Sequence, residues 1–304
     1  MRKESNMAES ADASLFSGPA VPEAREFRRV ARVMSRRPVV VGGVVVILLL
    51  IATALFAHVI APYDPYEQSL EIRLQAPSRA HLLGTDEVGR DILARIIYGA
   101  RISLLVGIVA VTIAGTIGMG LGLVAGYAGG WTNTVIMRFT DALLALPPLV
   151  LMLAIAAVLG GGLFNVIVAI GISMMPTYCR LMCGQVAALK EGEYITAARS
   201  MGARGGRIML RHLLPNAFPP LLVLLSINLG SAIMQEASLS FLGIGIQPPT
   251  ATWGGMVSNG YRFILDNPVF SFAPSSAILL VVLAFNMAGD GLRDALDPRL
   301  KGII

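Results

Sequence analysis

Side chains able to make or break bonds are few and dispersed in this 304-residue chain. The three histidines, His58, His81 and His212, lie far apart, and neither an H-E-x-x-H nor a G-x-S-x-G run occurs, so a zinc hydrolase or a serine nucleophile with its base is not indicated. Cys179 and Cys183 are too few for a disulfide framework or a four-cysteine zinc site. Four apart on one helical face, they are either a reactive or metal-binding pair or two small buried residues at a helix end; the second reading is favoured, and no metal site is expected. A G-x-x-x-x-G-K-[ST] phosphate loop is missing from the sequence as well, so any ATP must be hydrolysed by another chain.

The informative polar residues are those beside apolar runs, because polar groups within a bilayer are costly. Asp141 begins such a run, Gln235 and Glu236 follow another, and Asn286 and Asp290 close a third. Two roles are open for them: a carboxylate closing an ion pair with a partner such as Arg138 or Arg293, or Gln235, Glu236 and the neighbouring Ser238 lining the outer mouth of a translocation path.

The densest polar stretch runs from Glu193 to Asn216. Its first part predicts a helix whose small residues, Thr196, Ala197, Ala198 and Ser200, let a partner protein come close. Gly202, Gly205 and Gly206 then break or turn it, and a second short helix from Arg207 to Leu214 is expected to end before Pro215. Such a pair has the shape to dock into a groove.

The elements that must position these residues are membrane helices. Hydrophobic residues make up 55% of the chain and charged residues only 14%, against roughly 25% charged in soluble domains. Composition therefore excludes an ordinary soluble enzyme, and disorder too, which needs low hydrophobicity and high net charge. Six spans follow from runs long enough for a bilayer: residues 38–63, 102–127, 142–159, 164–179, 217–234 and 274–288. They leave a polar, basic tail over 1–37, an outer loop over 64–101, a five-helix core over 102–295 that includes a polar loop over 183–215, and a C-terminus over 296–304. Both termini are expected in the cytoplasm, since that assignment puts 18 of the 24 Lys and Arg inside and six outside. The net charge of +5 then needs no nucleic-acid partner. Arg90, Asp91 and Arg95, interleaved with Val88, Ile92, Leu93, Ile96 and Ile97, are read as an amphipathic helix lying on the outer membrane surface. Gly118, Gly122 and Gly126 clear one helical face for another span, either as a static seam or as a place where spans slide.

The stretch after Glu193 resembles the EAA loop of ABC importer permeases, a Glu-Ala-Ala, three residues, Gly, nine residues, Ile, any residue, Leu-Pro pattern. Ala197, Ala198, Gly202, Leu214 and Pro215 match; Thr196 stands at the Glu position and His212 at the Ile position. Further runs are similar to the C-type permease subunit of dipeptide, oligopeptide and nickel importers: His81 to Asp86, Gly89-Arg90-Asp91, Gly99 to Leu104, Phe241 to Gly245, Gln247-Pro248-Pro249, Trp253-Gly254, and Ala284 to Asp294. The likeness covers the chain from about Arg29 onward.

The resemblance implies an all-α membrane protein of type I ABC importer permease fold, six spans with a cytoplasmic coupling helix pair, set in a bacterial inner membrane. It implies a pore subunit that is not an enzyme and binds no cofactor, working with a second related permease, an extracytoplasmic binding protein and two cytoplasmic ATPases that hold ATP and Mg. Coupling to the ATPase falls on Glu193, Thr196, Ala197, Ala198, Arg199, Gly202, Arg211 and Pro215. The cargo implied is a di- or oligopeptide, or a related small solute such as nickel. An ion-coupled secondary transporter using Asp141 and Glu236 is the alternative.

Overall fold

The computed structural model describes Met34 and residues 37–296. The tail before Met34 and the last residues after Leu296, read above as cytoplasmic, fall outside the described residues. Apart from one isolated β-bridge between Thr85 and Asp91, the described residues are helix, turn or loop.

Helix α1 (Pro38–Leu55) ends at Phe56, and the four-residue α2 (Ala57–Ile60) follows, so the first apolar run is broken seven residues before Tyr63 where one helix was expected. Helix α3 (Ile92–Ala128) has 37 residues and a length of about 55 Å, nearly twice the hydrocarbon thickness. Its first turns are the stretch read as a separate surface helix. Arg90 and Arg95 are buried at 5% and 4% exposure, held by Asp86, and so are fastened into the protein rather than laid on lipid.

Helices α4 (Gly130–Leu144) and α5 (Pro148–Leu159) meet at a 93° bend, where one straight span over 142–159 was expected. Pro147-Pro148 causes it, since proline lacks the donor a continuing helix needs. Helix α6 (Leu163–Leu189) runs ten residues past the expected end at Cys179, so the polar loop begins at Lys190 rather than at residue 183. Then come α7 (Glu193–Ser200), α8 (Gly205–Ile208), a wide π-helical turn over Met209–Leu213, and α9 (Leu214–Phe241). The chain does not stop before Pro215: the Leu214 N–H reaches back five residues to the Met209 carbonyl, and Asn216 Nδ2 donates to the His212 carbonyl at 2.6 Å, which absorbs the proline into a continuing helix. Helix α10 (Trp253–Tyr261) and α11 (Pro268–Leu296) complete the bundle, α11 extending beyond the expected 274–288 at both ends. Among the described residues five helices are long and apolar enough to cross a membrane, and six spans result when the bent α4–α5 pair counts as one.

Small residues decide which helices touch. A Cβ on Gly118 would lie 2.7 Å from Tyr178 Cβ, one on Gly122 2.8 Å from Met182 Cβ, and one on Gly126 2.8 Å from Val186 Cβ, so α3 and α6 join backbone to backbone along that stripe. Gly230 meets Val282 and Phe285, and Gly43 meets Met287 at 2.8 Å, which seats α9 and α1 on α11. The main core, with Met152, Ile170, Tyr178, Met182, Leu213, Leu221 and Leu239, lies between α3, α5, α6 and α9. Arg37 and Asp294 form an ion pair, so the start of α1 and the end of α11 are on one side.

Candidate functional site

Two regions gather the polar groups. The first is the turn of chain after α6. Glu193 opens α7, and the eight residues of that helix divide by face: Ile195 and Ala198 are buried, whereas Glu193, Thr196, Ala197, Arg199 and Ser200 are exposed. Ala198, expected on the docking face, therefore points into its own chain, packed under the helix at 3% exposure. Three residues after Ile195, it shares that side chain's face, which the core claims first.

The end of α7 is fixed by backbone geometry. Gly202 adopts φ +80° with nothing within 4 Å of where a Cβ would stand. Its N–H donates to the Arg199 carbonyl at 2.9 Å and that of Ala203 to the Ala198 carbonyl at 3.0 Å, the two bonds of a Schellman cap. Met201 beside it is 82% exposed and Leu210 65%, an apolar rim around the helix. Arg211 and Pro215 are exposed on the following stretch.

This surface is tied to the end of α3. Lys190 Nζ donates to the Gly126 carbonyl at 3.2 Å, where a cation suits the negative end of the helix. The Arg199 guanidinium stands 5.9 Å from the centroid of the Tyr127 ring, and the same ring lies 3.1 Å from where a Cβ on Gly205 would be. On the other flank Asn133 Nδ2 donates to the Ala125 carbonyl at 3.2 Å and reaches Cys183 Sγ, also at 3.2 Å. Tyr194 is partly buried with its hydroxyl unpartnered, and burial pushes that phenol up.

The second region lies at the opposite ends of the helices. Asp91 caps α3, accepting from the Ala94 N–H at 2.7 Å while its other oxygen meets His81 Nδ1 at 2.9 Å. Asp86 accepts Arg90 Nε at 2.6 Å and faces Arg95 Nε at 3.5 Å, and Arg95 donates to the Pro65 carbonyl at 3.0 Å. Burial and the adjacent Asp86 charge raise the Glu87 carboxyl above its usual range. Trp253 Nε1 donates to the Ile96 carbonyl at 2.9 Å, and its ring fills the space left by Gly99. Arg90 and Arg95, expected on an amphipathic helix at the outer membrane surface, belong instead to a buried ion-pair network, for which the acids interleaved with them, Asp86 and Glu87, are the signal in the sequence.

The expected path residues divide. Glu236 is fully buried on α9, its Oε1 accepting from Ser240 Oγ at 2.7 Å and its Oε2 without a partner, so it does not stand open at a mouth formed by this chain. Gln235 is half-buried with Oε1 unpartnered, and Ser238 donates to the Met234 carbonyl at 2.9 Å. Asp141 pairs with Arg180, not with the expected Arg138, because α6 continues far enough to bring that guanidinium alongside α4. The expected carboxylate partner Arg293 is exposed, and its neighbour Asp294 takes Arg37. Cys179 and Cys183 are free thiols buried within α6, not at its end; Thr140 Oγ1 approaches Cys179 Sγ at 3.6 Å. No group of three or more His, Cys, Asp or Glu able to hold a metal occurs among the described residues.

Comparison with known proteins gives this architecture a context. The family model described as binding-protein-dependent transport system inner membrane component matches residues 118–302, and that of the N-terminal TM domain of oligopeptide transport permease C matches 26–77. A glutathione transport system permease protein of Pectobacterium atrosepticum is 45% identical over 90% of this chain and 92% of its own length. The dipeptide transport system permease protein of Alkalihalophilus pseudofirmus is 43% identical over 90% of each. A di/tripeptide transport system permease protein of Pseudomonas aeruginosa is 46% identical over 86% of this chain and 88% of its own. Among solved structures, a chain of the methionine ABC transporter in an inward-facing conformation aligns with TM-score 0.54 at 20% identity, over 68% of this chain and 98% of that one, a likeness of fold.

Proposed function

The chain belongs to the family of binding-protein-dependent transport system inner membrane components and is the permease subunit of an ABC importer; from that premise we propose that it forms half of a path for di- or oligopeptides. The other half is a second, related permease. Two cytoplasmic ATPases carry ATP and Mg, and an extracytoplasmic binding protein delivers the cargo. The relatives' names, glutathione, dipeptide and di/tripeptide, all denote short peptides and favour that cargo over nickel. Membership in this family displaces the ion-coupled secondary transporter.

The observation that carries the coupling assignment is the two-faced α7. Its inner face, Ile195 and Ala198, belongs to this chain's own core, while Glu193, Thr196, Ala197 and Arg199 stand free beside the apolar rim of Met201 and Leu210. A partner able to take a short helix and an apolar rim fits that surface, and Gly202, with Arg211 and Pro215 beyond it, sets the angle of presentation. Both chain termini then lie on the ATPase side, a reading supported by the excess of Lys and Arg there.

The test is reconstitution of the chain with its second permease, the ATPases and the binding protein in vesicles. ATP-dependent uptake of a dipeptide, lost when the ATPases are inactivated, is expected. Uptake that survives without the ATPases and collapses with an ion gradient would overturn the assignment.

A further inference from the structure

Charge within a membrane-spanning bundle is unfavourable against acyl chains and so faces water or protein. Arg180 of α6 and Asp141 of α4 form an ion pair whose side chains are 57% and 46% exposed in the chain by itself. Arg180 stands nine residues before the end of α6, about 13 Å from it along the axis. Asp141 lies in the last turn of α4, directly before the 93° bend into α5. A carboxylate there opposes the helix dipole, whose negative end it shares, so its placement needs a cation beside it. Arg138, one turn earlier on α4, is exposed as well.

The site thus sets a carboxylate next to a guanidinium, with Arg138 one turn away on α4, each exposed to whatever fills the space beside α4 and α6. A free peptide carries the complementary set, an ammonium at one end and a carboxylate at the other. An exposed ion pair is held weakly, by roughly 1 kcal/mol or less, and so can be exchanged. We propose that Arg180 and Asp141 are a zwitterion-exchange site on the peptide path: the ammonium of the passing peptide takes Asp141, and its carboxylate takes the Arg180 guanidinium so released. No bond is made or broken and charge is conserved at each stage. This inference rests on the peptide-permease reading and moves the path from Glu236 on α9 to the α4–α6 face.

The experiment uses the complete transporter in vesicles, with Cys179→Ala and Cys183→Ala in this chain and Ala142→Cys placed on the exposed residue beside the pair. A membrane-impermeant thiol reagent on the ATPase side, without nucleotide, is expected to label the Ala142→Cys protein. A millimolar zwitterionic dipeptide should slow that labelling severalfold, and the same dipeptide acetylated and amidated at its ends should not. Adding Asp141→Asn or Arg180→Gln should abolish the difference, and Arg180→Lys should retain it. ATP-dependent dipeptide uptake in the same vesicles separates the two readings. If uptake is absent, the peptide assignment fails and this site with it. If uptake proceeds but the thiol stays unreactive, or blocked and free peptides slow it equally, the site alone is overturned.

Discussion

Gly202 holds the left-handed turn that ends α7, the helix proposed to meet the ATPase. Because open space surrounds the missing Cβ, any effect of substitution comes from the backbone, and Gly202→Val should cost about 1 kcal/mol or more at φ +80°. Assembly of the permease is expected to persist while peptide-stimulated ATP hydrolysis and uptake fall together, measured on the purified complex. Ala198 and Ala197 should part company. Ala198→Glu buries a carboxylate beneath α7 and is expected to reduce the amount of assembled permease. Ala197→Glu, on the exposed face, should leave that amount unchanged and reduce retention of the ATPase subunit during purification. The sequence made this cluster legible through its small residues and its glycine. It did not reveal which alanine faces outward, because an eight-residue helix spans barely two turns and only contact with Ile195 and the core fixes its rotation.

Period-four glycines on α3 were readable as a packing face, since three absent side chains at one helical spacing have few other uses. The seam they make predicts that Gly122→Leu, which would drive a side chain into Met182 and the α6 backbone, sharply lowers the yield of folded protein on detergent extraction. Two element boundaries were not readable. Residues 88–97 read as a separate surface helix, whereas Asp86 fastens Arg90 and Arg95 into the protein and α3 runs on from Ile92 without a break; Pro215 read as a terminus, whereas a π-helical turn accommodates it. The link between α3 and α7 likewise needs the fold, because Lys190 reaches 64 residues back to Gly126. Lys190→Met is expected to lower peptide taken up per ATP hydrolysed, and Lys190→Arg to restore it; equal ratios in all three proteins would remove this contact from coupling.

Six spans and their order followed from hydropathy over the whole chain, whereas the α4–α5 bend depends on how two prolines meet the neighbouring helices. The assembled topology predicts that Ser200→Cys is labelled by an impermeant reagent only from the ATPase side and Leu265→Cys, at a residue 96% exposed, only from the other; the reverse pattern would invert the molecule. Between those faces runs α3, gripped near one end by the Gly118–Gly126 seam and bound at the other by Asp91, Arg95 and Trp253. Between those anchors Gly107 and Gly115 seat it against Ile233 and Leu225 of α9, so it is held along its length as a strut joining the two regions. Measured from Gly122, about 9 Å of helix extends towards α7 and about 45 Å towards the outer ion-pair network. About 54 Å of one continuous hydrogen-bonded element therefore separates Tyr127 from Asp91, with no joint between them to absorb a displacement.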